Sequence, residues 1–228
     1  LSIPFFRDMI TSPLKKAEVI FFRDEESIDY FHQYNQISKK VSLATDFALS
    51  LEQQNINNSN NTIALHLPKM DVNQVVDILD IINTSKFSKS KVEFILDGGG
   101  KFSNEYINYI NDMKVAKNLN FEITFKDYIG MDELIERLGT YLCVITTKLH
   151  VGIVTTALGG KVISIPWHTK TSRFYKQIGL GEFCIQNDTN KQKIGSLLNM
   201  LNDYSPDREM IDDSLKTMKD AIRDFVTN

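Results

Sequence analysis

The run YLCVITTKLHVGIVTTALGGKVISIP, residues 141–166, contains two strand patterns joined by one helical pattern. Tyr141 to Thr147 is apolar and rich in Val, Ile and Thr, the composition of a buried strand. A helical pattern follows over 149–158, and Gly159-Gly160 ends it. A second short apolar strand, KVISIP, comes next. Two strands joined through a helix form a parallel pair, because a parallel connection needs a crossover of this length. The same alternation continues outward. Strand patterns occur at TIALHLP (62–68), KVEFILD (91–97), FEITFKDY (121–128) and FCIQ (183–186), and helical patterns cover 71–85, 103–117, 131–139 and 171–178. The reading is an α/β protein with a Rossmann-like parallel sheet covered on both faces.

Toward the amino terminus, AEVIFFRD (17–24) is another compact apolar strand, and Ile28, Phe31 and Tyr34 follow at helical spacing. KKVSLATDFALSL carries a further strand ending near Asp46. The polar, Asn-rich segment 52–61 has no period and reads as a linker. The expected division is 1–51 as the end of an amino-terminal Rossmann-like domain, 52–61 as linker, and 62–228 as a carboxy-terminal Rossmann-like domain. In the tail, Ile211, Leu215, Met218, Ile222 and Phe225 form one apolar stripe, expected to dock on the body of that domain. The opening LSIPFFRDMI carries no initiator Met and no signal-peptide pattern, so the chain is expected to be part of something longer or to be trimmed.

Composition narrows the function. A net charge of -3 argues against a general nucleic-acid binder, which needs a broad basic face. Cys143 and Cys184 sit in separate apolar runs and are expected to be reduced, structural thiols of a cytoplasmic protein. His32, His66, His150 and His168 lack metal-ligand spacing, and no metal is expected. No apolar run is long enough to span a bilayer.

The chain carries no acid between Glu136 and Glu182, yet Arg137, Lys148, Lys161, Lys170, Arg173 and Lys176 lie there, with His150 and His168. Buried strands explain part of this. The βα turns explain the rest. Thr146, Thr147 and Lys148 fall at the carboxyl end of one strand, and Leu149 and His150 open the next helix. His168, Lys170 and Arg173 take the same place one unit later. Ligands of open α/β sheets bind at this edge, and helix amino termini there favour anions. Cations at a helix amino terminus are unfavourable unless an anion compensates them. His150 read from position alone is equally a capping imidazole and a functional one. The stretch DGGGKF (97–102) also joins a strand to a helix, but it has neither the P-loop spacing nor the GxGxxG order.

At these residues the sequence resembles the polysaccharide pyruvyl transferases. VIFFRDEESIDYF is similar to the family's strand followed by an Arg-Asp/Glu-x-x-Ser segment, with Arg23, Asp24 and Ser27. LATDFALSL is similar to its Asp-Pro-Ala-like element, with Asp46 in place and Phe47 where Pro is usual. VITTKLHVGIVTTALGGKVISIPWHTK resembles the family's Arg-Leu-His helix start, glycine turn, strand and following Lys. His150 and Lys170 match, Lys148 stands in place of Arg, and PWH replaces a Tyr-containing turn.

The resemblance implies an architecture like that of the B-type glycosyltransferases, with the first domain incomplete in this chain. It implies transfer of a pyruvyl ketal from phosphoenolpyruvate to a sugar of a cell-surface polysaccharide or glycan, without a cofactor or a metal. The phosphate and carboxylate of the donor would be held by Arg23, Lys148, Leu149, Lys170 and Arg173. His150 would move the proton, and Asp24 and Asp46 would act on the sugar hydroxyls. For the last two, a helix cap (Asp24) and a turn (Asp46) are equally good readings. The partners implied are phosphoenolpyruvate and a sugar or glycan-lipid acceptor, which would bring the protein to the inner face of the membrane. Lys in place of Arg offers a point charge instead of a fork, so the donor would be held differently. The alternatives are a nucleotide-sugar-dependent glycosyltransferase and a non-catalytic glycan-binding module. The acceptor sugar and the oligomeric state leave no mark in the sequence.

Overall fold

A computed structural model describes residues 13–14, 16–34, 40–51, 60–96, 101–127, 130–185 and 191–227. The chain divides into two compact units, one of Leu1–Phe47 with Asp207–Asn228 and one of Ala48–Pro206. The glycine-rich residues 97–100 and most of the Asn-rich linker lie outside the described residues.

The first unit holds two parallel strands, β1 (Val19–Phe22) and β2 (Lys40–Leu43), joined through helix α1 (Glu25–Tyr34). Phe31 of α1 is buried and packs against Phe22, with ring centroids 5.2 Å apart.

The second unit is built on a five-stranded parallel sheet. Its strands are β3 (Asn60–His66), β4 (Lys91–Leu96), β5 (Ile123–Asp127), β6 (Tyr141–Thr146) and β7 (Val162–Ser164). Between them run α2 (Val72–Thr84), α3 (Asn104–Ala116), α4 (Met131–Leu138) and α5 (Leu149–Ala157), and α6 (Thr169–Gln177) follows β7. Local chemistry sets the helix ends. Asp71 caps α2 by accepting from the Asn73 amide at 2.9 Å, and Ser103 caps α3 by accepting from Tyr106 at 3.2 Å. Gly159, at φ 82°, takes the left-handed conformation that stops α5.

Alternation along β4 puts neighbouring residues on opposite faces. Ile95 joins Ala64, Val144, Leu134, Leu138 and Val151 in a cluster beneath α4 and α5. Phe94 instead meets Tyr106 of α3, at 6.1 Å between ring centroids. Both faces of the sheet are therefore covered, as the near-continuous apolar strands require.

The strand order is β5-β4-β3-β6-β7. The chain builds outward from β3 to β5, then returns to the other side of β3 and continues to β7. The order reverses between β3 and β6, so their carboxyl ends flank the topological switch point where this class of sheet binds ligands.

Three sequence expectations differ from the structure. The described part of FCIQ, residues 183–185, does not form a strand. Gly181–Phe183 is a turn of 3-10 helix, and only Cys184 bridges to Ser164. Lys191–Asn199 forms an unforeseen helix, α7, which buries Ile194, Leu197 and Leu198. The terminal helix α8 (Arg208–Thr227) is amphipathic as expected, but it clusters with the first unit rather than the second. Ile211, Leu215 and Met218 are buried, and the Thr45 amide donates to Ser214 Oγ at 2.6 Å. No described helix is long and apolar enough to cross a membrane.

Candidate active site

The sheet register lines up three strand ends at the carboxyl edge of the second unit. His66 of β3 lies opposite Thr146 of β6, and Thr146 lies opposite Ser164 of β7. The loops that leave this row carry Lys69, Lys148 and the Trp167-His168 pair.

The turn after β6 is held from both sides. Thr146 Oγ1 accepts from the Lys148 amide at 3.0 Å and lies 3.1 Å from His66 Nδ1. The Thr147 amide donates to the His66 carbonyl at 3.1 Å, and the Ile165 amide donates to the Thr146 carbonyl at 2.8 Å. His66 and Thr146 are both fully buried. Helix α5 starts from this fixed turn. Its cap residue, Lys148, supplies no side-chain acceptor, so the first amides of the helix carry their usual unsatisfied donors toward the edge. Thr147, also buried, has a hydroxyl with no hydrogen-bond partner among the described residues. Helix α6 repeats the arrangement, with His168 at its cap and again no side-chain cap bond.

Lys148 and His150 are exposed at the first of these helix starts, and His168 and Lys170 at the second. Leu149 is buried, so its amide, not its side chain, faces any ligand of this edge. Arg173 lies one turn into α6, half-buried.

The spacing between the two helices is tight. An added Cβ on Gly152 of α5 would overlap the hydroxyl of Tyr175 of α6. Tyr175 is fully buried, and burial holds its hydroxyl well above the ordinary tyrosine range, with the Ser164 hydroxyl pulling the other way.

Sequence reading did not single out two of these residues. His66 is a lone histidine in an apolar strand and becomes informative only through its pairing with Thr146. Lys69 occupies the third position of a turn closed by the Met70 amide on the Leu67 carbonyl at 3.2 Å. Its φ is 66°, where glycine is the easier residue. The cation at a strained position beside the switch point was not apparent in the sequence.

The remaining expected site residues lie in the first unit, at the carboxyl ends of β1 and β2. Arg23 Nη1 pairs with Asp46 Oδ2 at 2.6 Å. Asp24 caps α1, with Oδ1 accepting from the Ser27 amide at 2.9 Å and Oδ2 from the Ser27 hydroxyl at 2.8 Å. The Arg-Asp-x-x-Ser spacing is thus a capping unit, whatever further role its carboxylate has.

The sequence matches the polysaccharide pyruvyl transferase family over residues 1–169. The chain belongs to the polysaccharide pyruvyl transferase family. The match takes in Arg23, Asp24, Asp46, Lys148 and His150 and stops one residue short of Lys170. No curated protein matches the sequence.

Solved structures share the fold of this pyruvyl transferase family member at low identity. The glycosylation-associated Gap123 complex of Streptococcus agalactiae superposes with a TM-score of 0.59 at 14% identity, covering 94% of this chain and 44% of that one. The accessory secretory protein 1, 2 and 3 structure from Streptococcus pneumoniae gives 0.57 at 14% identity, with 95% and 42% covered. A putative UDP-N-acetylglucosamine 2-epimerase from Listeria monocytogenes gives 0.54 at 12% identity, with 88% and 54% covered. The likeness carries the fold class, a parallel α/β fold of the B-type glycosyltransferase kind. This chain spans about half the length, or less, of each of these three structures.

Proposed function

We propose that the protein transfers a pyruvyl group from phosphoenolpyruvate to two hydroxyls of a glycan sugar, forming a cyclic ketal and releasing phosphate. Family membership supports the reaction class. The observation that carries the site is the pair of adjacent helix starts, α5 and α6, with Lys148, His150, His168 and Lys170 exposed at one sheet edge. Phosphoenolpyruvate is a small dianion or trianion, and helix amides and lysines at a switch point suit it.

In this reading, Lys148 and Lys170 bind the phosphate and carboxylate as point charges, and the Leu149 amide adds a donor. Lys69 supplies a further cation from the loop after β3. His150 delivers a proton to the methylene carbon, which leaves an oxocarbenium-like centre for a sugar hydroxyl to attack. Loss of phosphate and attack by the second hydroxyl close the ketal. Arg23 and Asp46, paired at the strand ends of the first unit, are assigned to substrate binding and to sugar-hydroxyl activation. Asp24 is assigned to the same task as a secondary candidate, because both its oxygens already serve the α1 cap. An acceptor carried on a lipid would bring the protein to the inner face of a membrane.

The test is phosphate release from phosphoenolpyruvate with and without a panel of glycan acceptors. Acceptor-dependent release with no turnover of UDP-glucose is the expected result. Turnover of UDP-glucose with inert phosphoenolpyruvate would instead establish a glycosyltransferase on the same fold.

A further inference from the structure

Trp167 stands out once the site is placed. It is the only tryptophan in the chain, and 56% of it is exposed. Tryptophan is highly buried on average, so an exposed one is the informative case. It makes no hydrogen bond and no ring contact with any described residue. It lies three residues beyond Ser164 of β7, at the carboxyl edge, directly before the His168 cap of α6.

The surroundings of the indole indicate the kind of ligand it suits. Its followers His168, Thr169 and Lys170 are all exposed and polar, and Pro166 before it is half-buried. A protein-binding hot spot is an aromatic set among other apolar side chains that exclude water. Here a single aromatic face sits within a polar and cationic turn. A pyranose ring has the complementary form, with one face of C–H groups and a rim of hydroxyls. An aromatic body with a polar handle, such as the indole N–H, suits both parts of it.

We propose that Trp167 is the platform on which the acceptor sugar stacks, with its indole face against the C–H face of the ring. This holds the diol beside the cations at the α5 and α6 starts. The inference rests on the glycan acceptor of the proposed function and adds the residue that recognises it.

The sole tryptophan makes its own reporter. Its emission is titrated with the methyl pyranosides of glucose, galactose and mannose, with and without phosphoenolpyruvate. At least one of these sugars is expected to shift the emission saturably. Saturation-transfer NMR on that sugar is expected to mark protons of one ring face. Sugar binding, read in the variants by the same saturation transfer because they carry no tryptophan, is expected to fall roughly tenfold in Trp167→Ala, as on truncating an aromatic anchor, and to survive in Trp167→Phe. Calorimetric binding of phosphoenolpyruvate is expected to be unchanged in both variants.

Emission unmoved by all three sugars, or sugar binding retained by a folded Trp167→Ala, overturns the platform. So does emission that changes with protein concentration alone while sedimentation shows a dimer, because a second copy then covers the indole. If sugars shift the emission but phosphoenolpyruvate never binds, the platform stands and the pyruvyl-transfer reading fails.

Discussion

Replacing Gly152 with Ala sets two effects of opposite sign against each other. In a helix interior Ala is favoured over Gly by about 1 kcal/mol, so propensity alone predicts a more stable protein. The packing predicts the reverse. The new methyl group would overlap Tyr175 Oη and stand 3.2 Å from Tyr175 Cζ and 3.5 Å from Val162 Cγ1. Tyr175 is fully buried and cannot swing into solvent. Overpacking of this kind costs roughly 1–3 kcal/mol, which leaves a net loss of up to about 2 kcal/mol. At about 2–4 °C per kcal/mol for a chain of this size, the melting temperature falls by up to about 8 °C. Calorimetry of Gly152→Ala, Tyr175→Phe and the double variant measures the coupling. Tyr175→Phe removes the overlapping oxygen, a buried hydroxyl with no hydrogen-bond partner among the described residues, so its loss is expected to cost little. The double variant is then expected to return to within about 1 kcal/mol of wild type, with a coupling of at least about 1 kcal/mol. A Gly152→Ala protein more stable than wild type, or simple additivity, would refute the close approach of α5 and α6.

Lys148→Ala is expected to raise the Michaelis constant for phosphoenolpyruvate roughly tenfold to a hundredfold, the loss of one charge-assisted bond, and Lys148→Arg to be tolerated. His150→Ala is expected to lower turnover by roughly 10²–10⁴-fold, as for a general acid; normal turnover in a folded variant makes His150 a cap only. Lys69→Gly relieves a left-handed lysine worth about 1 kcal/mol while adding about 0.5–1 kcal/mol of chain entropy. Stability is therefore expected to hold while donor binding weakens, and unchanged binding would remove Lys69 from the site. Burial pushes the Cys143 thiol up to about 12 and the Cys184 thiol up to about 11. Iodoacetamide is accordingly expected to label the native protein slowly at neutral pH and rapidly once it unfolds, and fast native labelling would contradict the burial.

The parallel α/β class was legible because both periods are strong here. Runs such as YLCVIT are apolar throughout, and the amphipathic segments between them end at glycines and capping residues. What sequence could not supply was lateral order. Nothing in β3 or β6 says that they are neighbours, yet that adjacency creates the switch point and pairs His66 with Thr146. The glycine at 152 reads as a place where the helix approaches the sheet; the tightest contact is with Tyr175 of the next helix, a long-range fact. FCIQ has the composition of a strand, but the 3-10 turn at Gly181–Phe183 leaves only one residue to bridge. The stripe of α8 shows that it docks, and carries no label for the unit it docks on. Of the candidate site, Lys148, His150 and Lys170 were found by the strand-end rule, whereas Lys69 depends on a backbone angle and Trp167 on its exposure.

Calorimetric titration of phosphoenolpyruvate into wild-type protein and Lys148→Ala, with UDP-glucose as competitor, bears most directly on the anion site at the α5 start. Saturable binding by wild type, roughly tenfold or more weaker in Lys148→Ala and not displaced by UDP-glucose, is the predicted result. Absent phosphoenolpyruvate binding together with tight UDP-glucose binding would contradict it.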